Sequence, residues 1–299
     1  MSTRPKLEEL NVLDDFMLNA IANDPDVGEA FFKEVLSILL EREIGAIHVK
    51  AQSVIPGDTP ELRGIRLDVE IYEEDDSPAK CRIYNMELQN YHELEIQKRS
   101  RYYQAKKDSK GLKSGEKKWA MLPDLYMIMI TTFDPFGEDS MVYTFKNTCE
   151  EFPHIEYQDG LKFIYFNTTG KKCVARAKKE LLTYLNHSKI ENITNKHVAH
   201  IHDYVTHVKQ SAEVRERYMT IGEMMDRSKA EGLAEGLAEG LMEGEQKGIR
   251  KALLNILEEL GSIPEELQTC LDTADEATIM QWTKCAARAE SLQEFLKQI

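Results

Sequence analysis

Two neighbouring segments of the sequence alternate apolar and polar residues and carry acidic side chains in the polar positions. Residues 65–72 read IRLDVEIY and contain Asp68, while residues 81–90 read CRIYNMELQN and contain Glu87 and Gln89. Alternate side chains of a strand share a face, so Glu87 and Gln89 point the same way. If the segments pair as a hairpin, two carboxylates and one amide oxygen converge. Such oxygen ligands suit Mg²⁺ or Mn²⁺, which can polarise a phosphoryl oxygen and deliver a hydroxide for phosphodiester hydrolysis.

The alternative is that these carboxylates only face water, as acidic residues of an amphipathic hairpin often do. The surroundings of Glu87 argue against this, because the residues flanking it are apolar on both faces of the strand: Ile83, Tyr84, Met86 and Leu88. Burying a carboxylate without a partner is costly. Glu70, on the same face as Asp68, is a candidate outer carboxylate.

A basic segment follows the second strand. Residues 96–118 hold nine Lys and Arg residues against two acidic ones, and a helix is predicted from near residue 92 to about residue 111. A solvated helix face is the alternative, but a positive surface beside a metal site is what a phosphate backbone requires. We therefore predict nucleic-acid contacts from five residues of this helix: Lys98, Arg99, Arg101, Tyr102 and Lys106.

Composition narrows the class of protein. The chain has 299 residues, of which 42% are hydrophobic and 30% charged, and a net charge of −14 argues against a protein that simply coats nucleic acid. No apolar run approaches the roughly 20 residues that cross a bilayer, and the N-terminus has no apolar segment of signal-peptide type. The five cysteines are scattered, which fits reduced thiols. We expect a cytoplasmic protein with no membrane partner.

The remaining pattern predicts an α/β layered domain followed by helices. Residues 24–43 have helical spacing of apolar residues, and residues 124–133 are almost continuously apolar, as in a strand covered on both faces. Two more strand candidates lie at 141–147 and 161–167. Strands interleaved with helices indicate an α/β domain over roughly residues 1–170, and the sequence beyond is helical only.

A short repeat interrupts the helical part. Residues 230–248 read AEGLAEGLAEGLMEGEQKG, so that Leu233, Leu237 and Leu241 form one slowly drifting stripe on a helix. Glycine costs about 1 kcal/mol per helix position relative to Ala, so this helix is marginal alone. Two interpretations stay open: a flexible or semi-helical linker, and a helix that pairs with another copy of itself.

Four histidines lie in one predicted helix: His197, His200, His202 and His207. His197 and His200 are one turn apart and would share a zinc ion if a third ligand were supplied. Because no H-E-x-x-H pattern is present, histidines that face solvent or a partner are the favoured interpretation.

Together, these residues resemble a known group of enzymes. Residues 66–69 (RLDV), 84–89 (YNMELQ), Arg99 and 102–103 (YY) resemble the PD-(D/E)XK nuclease superfamily, and more narrowly its Rpn-like branch of recombination-promoting nucleases and transposases. That branch has an Asp on one strand and E-x-Q on the next, with Gln standing where other branches carry Lys. The resemblance spans roughly residues 10–170, with the Glu-Gly repeat as an extra mark.

The resemblance implies a restriction-endonuclease-like core, a mixed β-sheet flanked by helices, with an all-helical C-terminal region. It implies a DNA endonuclease that uses Mg²⁺ (or Mn²⁺) and is linked to recombination or mobile elements. Asp68 and Glu87 match the metal-binding acids, and Gln89 matches the position that orients or stabilises the attacking water. Asp15 or Glu34 would supply the additional acid that the superfamily often places on its first helix, and the spacing does not choose between them.

The absent lysine leaves two interpretations of function. Lys98 and Arg99 are the candidate substitutes for its positive charge. Without one, the chain would be a catalytically inactive nuclease fold that acts as a DNA- or protein-binding module. An RNA nuclease is a third interpretation.

The predicted organisation has four parts: a nuclease-like domain at 1–185, a helical extension at 186–228, the repeat as linker or helix at 229–248, and a small helical region at 249–299. Because two cleavage events on a duplex favour a dimer, we predict a homodimer through the C-terminal helical region.

Overall fold

The computed structural model describes residues 4–56, 63–74, 81–92, 94–112, 115, 117–172 and 175–299. The chain folds as two compact units, Met1–Met219 and Thr220–Ile299. The helices are α1 Asp15–Ala22, α2 Gly28–Leu40, α3 Ile96–Asp108, α4 Arg176–Asn186, α5 Lys196–Gln210, α6 Ala212–Leu260, α7 Glu265–Thr273, α8 Glu276–Ala286 and α9 Leu292–Leu296. The strands are β1 Ile47–Ala51, β2 Val54–Ile55, β3 Ile65–Arg66, β4 Val69–Glu73, β5 Arg82–Gln89, β6 Asp124–Thr131, β7 Val142–Phe145 and β8 Leu161–Asn167.

Six of the strands form one mixed sheet in the order β1-β4-β5-β6-β8-β7. The three central strands β5, β6 and β8 are parallel, whereas β1, β4 and β7 pair antiparallel with their neighbours. Parallel strands are usually covered on both faces, which explains why β6 is nearly continuous in Met and Ile. The predicted architecture, a mixed sheet flanked by helices with a long helical C-terminal region, is confirmed.

The hairpin register separates the two faces of the sheet. Val69 pairs with Met86 and Ile71 with Tyr84. These side chains belong to the main core, which also contains the buried faces of α1, α2, α4 and α5. The other face of β5 carries a polar side chain at every second residue: Asn85, Glu87 and Gln89, all of them buried. That face is covered by α3, whose Ile96 packs with residues of β6 and β8.

The second unit contains the greater part of α6 and the three following helices. Its core is formed by Leu253, Leu257, Leu267, Leu271, Ile279, Ala286 and Phe295. Residues 223–248 of α6 are exposed on every side of the helix. None of the helices in the described ranges combines the length and the apolar character that crossing a membrane would require. The finer boundaries at 185, 228 and 248 stay predictions.

Candidate active site

The hairpin brings Asp68 and Glu87 into direct contact. Asp68 lies in the residue pair that connects β3 to β4, and its backbone N–H donates to Oε1 of Glu87 at 3.1 Å. The backbone N–H of Leu88 in turn donates to Oδ2 of Asp68 at 2.9 Å. Each carboxylate is therefore held by the backbone of the strand that carries the other one. The structure thus brings together the two acids that the sequence singled out.

Burial makes this pair of acids unfavourable when both are ionised. The side chain of Glu87 is 0% exposed. Its pKa is raised to about 8, first by burial and then by the charge of Asp68, against the opposing effects of the Asp68 N–H and of Arg99. Burial also raises the pKa of Asp68, and the charge of Asp15 adds to the effect.

A cavity of about 350 Å³ opens onto Asp68. Its walls are Asp15, Leu18, Asn19, Gln52, Arg66, Asp68, Arg99 and Tyr103. Asp15 is the first residue of α1 and stands at the cavity. Glu34 does not line this cavity; its Oε1 lies 2.8 Å from Nδ1 of His197 on α5. Of the two acids left open by the sequence, the structure therefore places Asp15 beside Asp68.

The donor set fits a hard divalent cation. Oε2 of Glu87 is buried and accepts no hydrogen bond from the described residues. Nη2 of Arg99 forms an ion pair with this oxygen at 3.5 Å, and a metal ion is a further group that would satisfy a buried carboxylate oxygen. With Asp68 adjacent and Asp15 at the cavity wall, the ligands on offer are carboxylate oxygens, which Mg²⁺ and Mn²⁺ prefer.

Gln89 lies next to Glu87 on the same face of β5, and its role towards the attacking water stays a prediction. Its side chain is buried, its Oε1 accepts a hydrogen bond from Nη1 of Arg99 at 2.9 Å, and its Nε2 donates to the Tyr91 carbonyl at 3.3 Å. Both ends of the amide are therefore engaged by the protein. The amide oxygen thus contacts Arg99 and has a second lone pair left to accept another hydrogen bond.

Arg99 is the cation that lies beside the acids. Besides its bond to Gln89, its Nη2 lies 3.5 Å from Oε2 of Glu87, and its guanidinium carbon stands 5.1 Å from the centre of the Tyr103 ring. Lys98, the other proposed substitute for the absent lysine, has a side chain 72% exposed and pairs with Glu95 at 2.9 Å. The two neighbours on α3 thus point in different directions.

Glu70 is not an outer carboxylate of the site. It is buried and forms an ion pair with Lys107 of α3, whose Nζ also donates to the Tyr72 hydroxyl at 3.0 Å. A buried pair of this kind neutralises Glu70 and ties the end of α3 to β4. Arg99, Tyr103 and Lys107 recur every four residues, which places them on one face of α3. That spacing is the sequence signal that identifies the residues facing the sheet.

A second cavity, of about 570 Å³, adjoins the first. It is lined by Arg63, Glu95, Lys98, Arg99, Arg101, Tyr102, Tyr103 and Ala105, so that Arg99 and Tyr103 belong to both cavities. The Tyr102 hydroxyl donates to the Arg63 carbonyl. Two arginines that were not predicted from the sequence to contact nucleic acid, Arg63 and Arg66, thus extend the positive surface next to Asp68.

Lys106 is the exception among the five residues predicted to contact nucleic acid. It is 8% exposed and belongs to the buried side of α3. A phosphate backbone cannot reach a side chain in that position, so Lys106 has to be left out of the surface. The prediction failed because it counted charges along the helix without knowing which face the sheet covers.

A sheet of this topology, with two acids interlocked across its hairpin and a third at the first helix, defines a restriction-endonuclease-like protein. The family model of the PD-(D/E)XK nuclease family transposases matches residues 23–234, which is more than half of the chain. The chain belongs to this family, as the resemblance in the sequence predicted. Neither a curated protein nor a solved structure matches the chain.

Proposed function

We propose that this protein is a metal-dependent DNA endonuclease that hydrolyses phosphodiester bonds and is linked to recombination or mobile elements. The observation that carries the proposal is the environment of Glu87. Its carboxylate is buried against Asp68, one of its oxygens accepts no hydrogen bond from the described residues, and its neighbours line a cavity that adjoins a basic surface. Acidic groups whose pKa is raised by burial and by a neighbouring acid, beside a cavity, are typical of functional sites.

In this proposal the acids bind the ion and Arg99 acts on the phosphate. Asp68 and Glu87, with Asp15, hold Mg²⁺ or Mn²⁺, which supplies a Lewis acid for the phosphoryl oxygen and lowers the pKa of the attacking water. Arg99 stabilises the negative charge that builds up on the phosphate in the transition state. Gln89 fixes the position of the Arg99 guanidinium through the 2.9 Å bond. The positive charge of the absent lysine thus comes from the neighbouring helix.

Nicking of supercoiled plasmid tests this function. We expect the wild-type protein to nick with Mg²⁺ or Mn²⁺ and not with EDTA, and Asp68→Asn and Glu87→Gln each to lower the rate about 100-fold or more. Glu29→Gln, which changes an exposed carboxylate on α2 that pairs with His48, is the control and should keep the wild-type rate.

A folded wild-type protein that nicks with neither metal would contradict the proposal. It would favour the alternative, a nuclease fold kept for binding DNA or a protein. Cleavage of an RNA of the same sequence in place of the plasmid would correct the substrate and leave the site in place.

The DNA is proposed to lie along the surface formed by Lys98, Arg99, Arg101 and Tyr102, with Arg63 and Arg66 added. Each phosphate neutralised by a cation makes the slope of log affinity against log salt more negative by about 0.9. In a Glu87→Gln background, which binds without cutting, Lys98→Ala with Arg101→Ala should therefore make that slope less negative by about 2. The control is Lys33→Ala with Lys196→Ala, two exposed lysines on α2 and α5. Equal slopes for both pairs would remove α3 from the interface.

We also propose that the chain forms a homodimer through the repeat in α6. Leu233, Leu237 and Leu241 are 64–73% exposed. At the five glycines of the repeat, Gly232, Gly236, Gly240, Gly244 and Gly248, no atom of the described residues outside the helix's own backbone lies within 4 Å of an added Cβ. About 5 kcal/mol of helix propensity is lost at these positions relative to Ala. A second helix that buries the leucines and approaches the glycines closely would offset this loss.

Sedimentation velocity tests the dimer. The wild-type chain should sediment as a dimer, and replacing Leu233, Leu237 and Leu241 together with Gln should give monomers. Replacing Glu231, Glu235 and Glu239 with Gln, on another row of the same helix, should leave the dimer intact. A wild-type protein that stays monomeric at all concentrations would contradict this assembly. The cytoplasmic location stays a prediction.

A further inference from the structure

A group of three potential metal ligands lies where α5 ends beside the turn that precedes α2. His207 is in the last turn of α5, whereas Asp24 and Asp26 lie in the turn that precedes α2. Nε2 of His207 is 4.0 Å from Oδ2 of Asp24 and 3.8 Å from Oδ2 of Asp26. Among the residues that the structure describes, these are the only three His, Cys, Asp or Glu donors that all lie within 4.8 Å of one another.

The carboxylate of Asp24 is already fixed in place. Its side chain is 9% exposed, and its Oδ1 accepts hydrogen bonds from the backbone N–H groups of Asp26 at 3.0 Å and Val27 at 3.1 Å. These two bonds complete the turn and use one oxygen only. Oδ2 accepts no hydrogen bond from the described part of the chain and is directed at His207. An Asn would make the same turn, so the second carboxylate oxygen has no role in the backbone structure.

We propose that Asp24, Asp26 and His207 bind a divalent transition-metal ion, with Zn²⁺ as the preferred ion, and so tie the end of α5 to the start of α2. One imidazole nitrogen with two carboxylate oxygens is a donor set that suits Zn²⁺, whereas Mg²⁺ and Ca²⁺ take oxygen ligands. Zinc bonds of about 2.0–2.2 Å place neighbouring tetrahedral donors roughly 3.5 Å apart. The two observed nitrogen–oxygen distances of 3.8 and 4.0 Å are close to this value, and all three donor atoms lie within 4.8 Å of one another.

The other histidines of α5 do not form such a group. Oε1 of Glu34 lies 2.8 Å from Nδ1 of His197 and 3.6 Å from Nδ1 of His200. These three donors do not all come within 4.8 Å of one another, so the zinc site considered for His197 and His200 is not proposed. Among the described residues, His48 has one carboxylate partner, Glu29, at 3.3 Å.

The site goes beyond the proposed nuclease function and does not depend on it. Asp24 lies in the turn before α2 and His207 lies on α5, and both helices pack in the main core, on the sheet face opposite to Glu87 and α3. A test can therefore use a full-length Glu87→Gln background, in which the catalytic acids have lost one of their three proposed carboxylate ligands. A zinc titration by calorimetry then measures the affinity and the number of ions bound.

We expect the Glu87→Gln protein to bind one Zn²⁺ that is lost, or held at least tenfold more weakly, after Asp24→Asn or after His207→Ala. Asp24→Asn is the sharper variant, because its side-chain oxygen still completes the turn and the fold is kept. His48→Ala, which removes a histidine with one carboxylate partner, should leave the affinity unchanged. Zinc should also raise the melting temperature of the background protein and not that of its Asp24→Asn derivative. Zinc binding that is equally tight in Asp24→Asn and His207→Ala, or absent from the background protein, would overturn the proposal.

Discussion

Glu87→Gln is expected to raise the melting temperature of the metal-free protein at pH 8. In the folded state the pKa of Glu87 is about 8, compared with an ordinary value of 4.5. Between these two pH values the folded state holds more protons than the unfolded chain, so the folding free energy from this group is lost as the pH rises. The loss is complete above pH 8 and amounts to on the order of 5 kcal/mol. A Gln side chain at this position does not ionise, so the variant does not lose this folding free energy.

The measurement is thermal unfolding of both proteins in EDTA between pH 5 and pH 8.5. The melting temperature of Glu87→Gln should exceed that of the wild type by on the order of 10 °C at the upper end and by little at the lower end. Added Mg²⁺ or Mn²⁺ should stabilise the wild type more than Glu87→Gln, because only the wild type offers the Glu87 carboxylate as a ligand.

Glu70→Gln is the matched control, since Glu70 is a buried carboxylate on the same sheet face that already has a partner in Lys107. Breaking that pair leaves Lys107 uncompensated and should destabilise the protein by about 3–5 kcal/mol. The two Glu→Gln changes thus have opposite expected signs. If the difference in melting temperature between Glu87→Gln and the wild type does not grow with pH, Glu87 is ionised in the folded protein over the whole pH range.

Removing the guanidinium of Arg99 should have the second large effect. We expect Arg99→Ala to lower the cleavage rate at saturating DNA by about 10²–10³-fold, because a fixed positive charge beside the phosphate is lost. Lys98→Ala, at the exposed neighbour, should change affinity with little effect on that rate. Arg99→Ala should also shift the acidic limb of the pH–rate profile to higher pH, because Arg99 opposes the rise in the Glu87 pKa.

The double variant Gln89→Lys with Arg99→Ala shows whether Arg99 replaces the absent lysine. It restores a cation at the position where other branches of the superfamily carry Lys, and it should recover part of the rate lost in Arg99→Ala. Equal rates for Arg99→Ala and Lys98→Ala, or no shift of the pH profile, would contradict the role given to Arg99.

The sequence alone determined the hairpin, the buried strand and the family. Alternation at residues 65–72 and the E-x-Q of the following strand predicted the hairpin, and the antiparallel pairing of β4 with β5 confirms it from residue 69 onwards, whereas residues 65–66 pair with β2 in a separate sheet. The apolar run at 124–133 predicted the buried strand β6. These features are local, because the face to which a strand side chain points follows from its position along the strand. The match of the family model over residues 23–234 confirms the resemblance drawn from the same residues.

The tertiary structure alone decided which charged residues meet. The sequence offered Asp15 and Glu34 as the additional acid and Lys98 and Arg99 as the cation, and it ranked neither pair. The choice of Asp15 depends on where α1 packs against the sheet, and that of Arg99 on the rotation of α3 about its axis. Both are set by packing between elements distant in sequence. The same rotation buries Lys106, because a charge count along a helix does not identify the face that the sheet will cover.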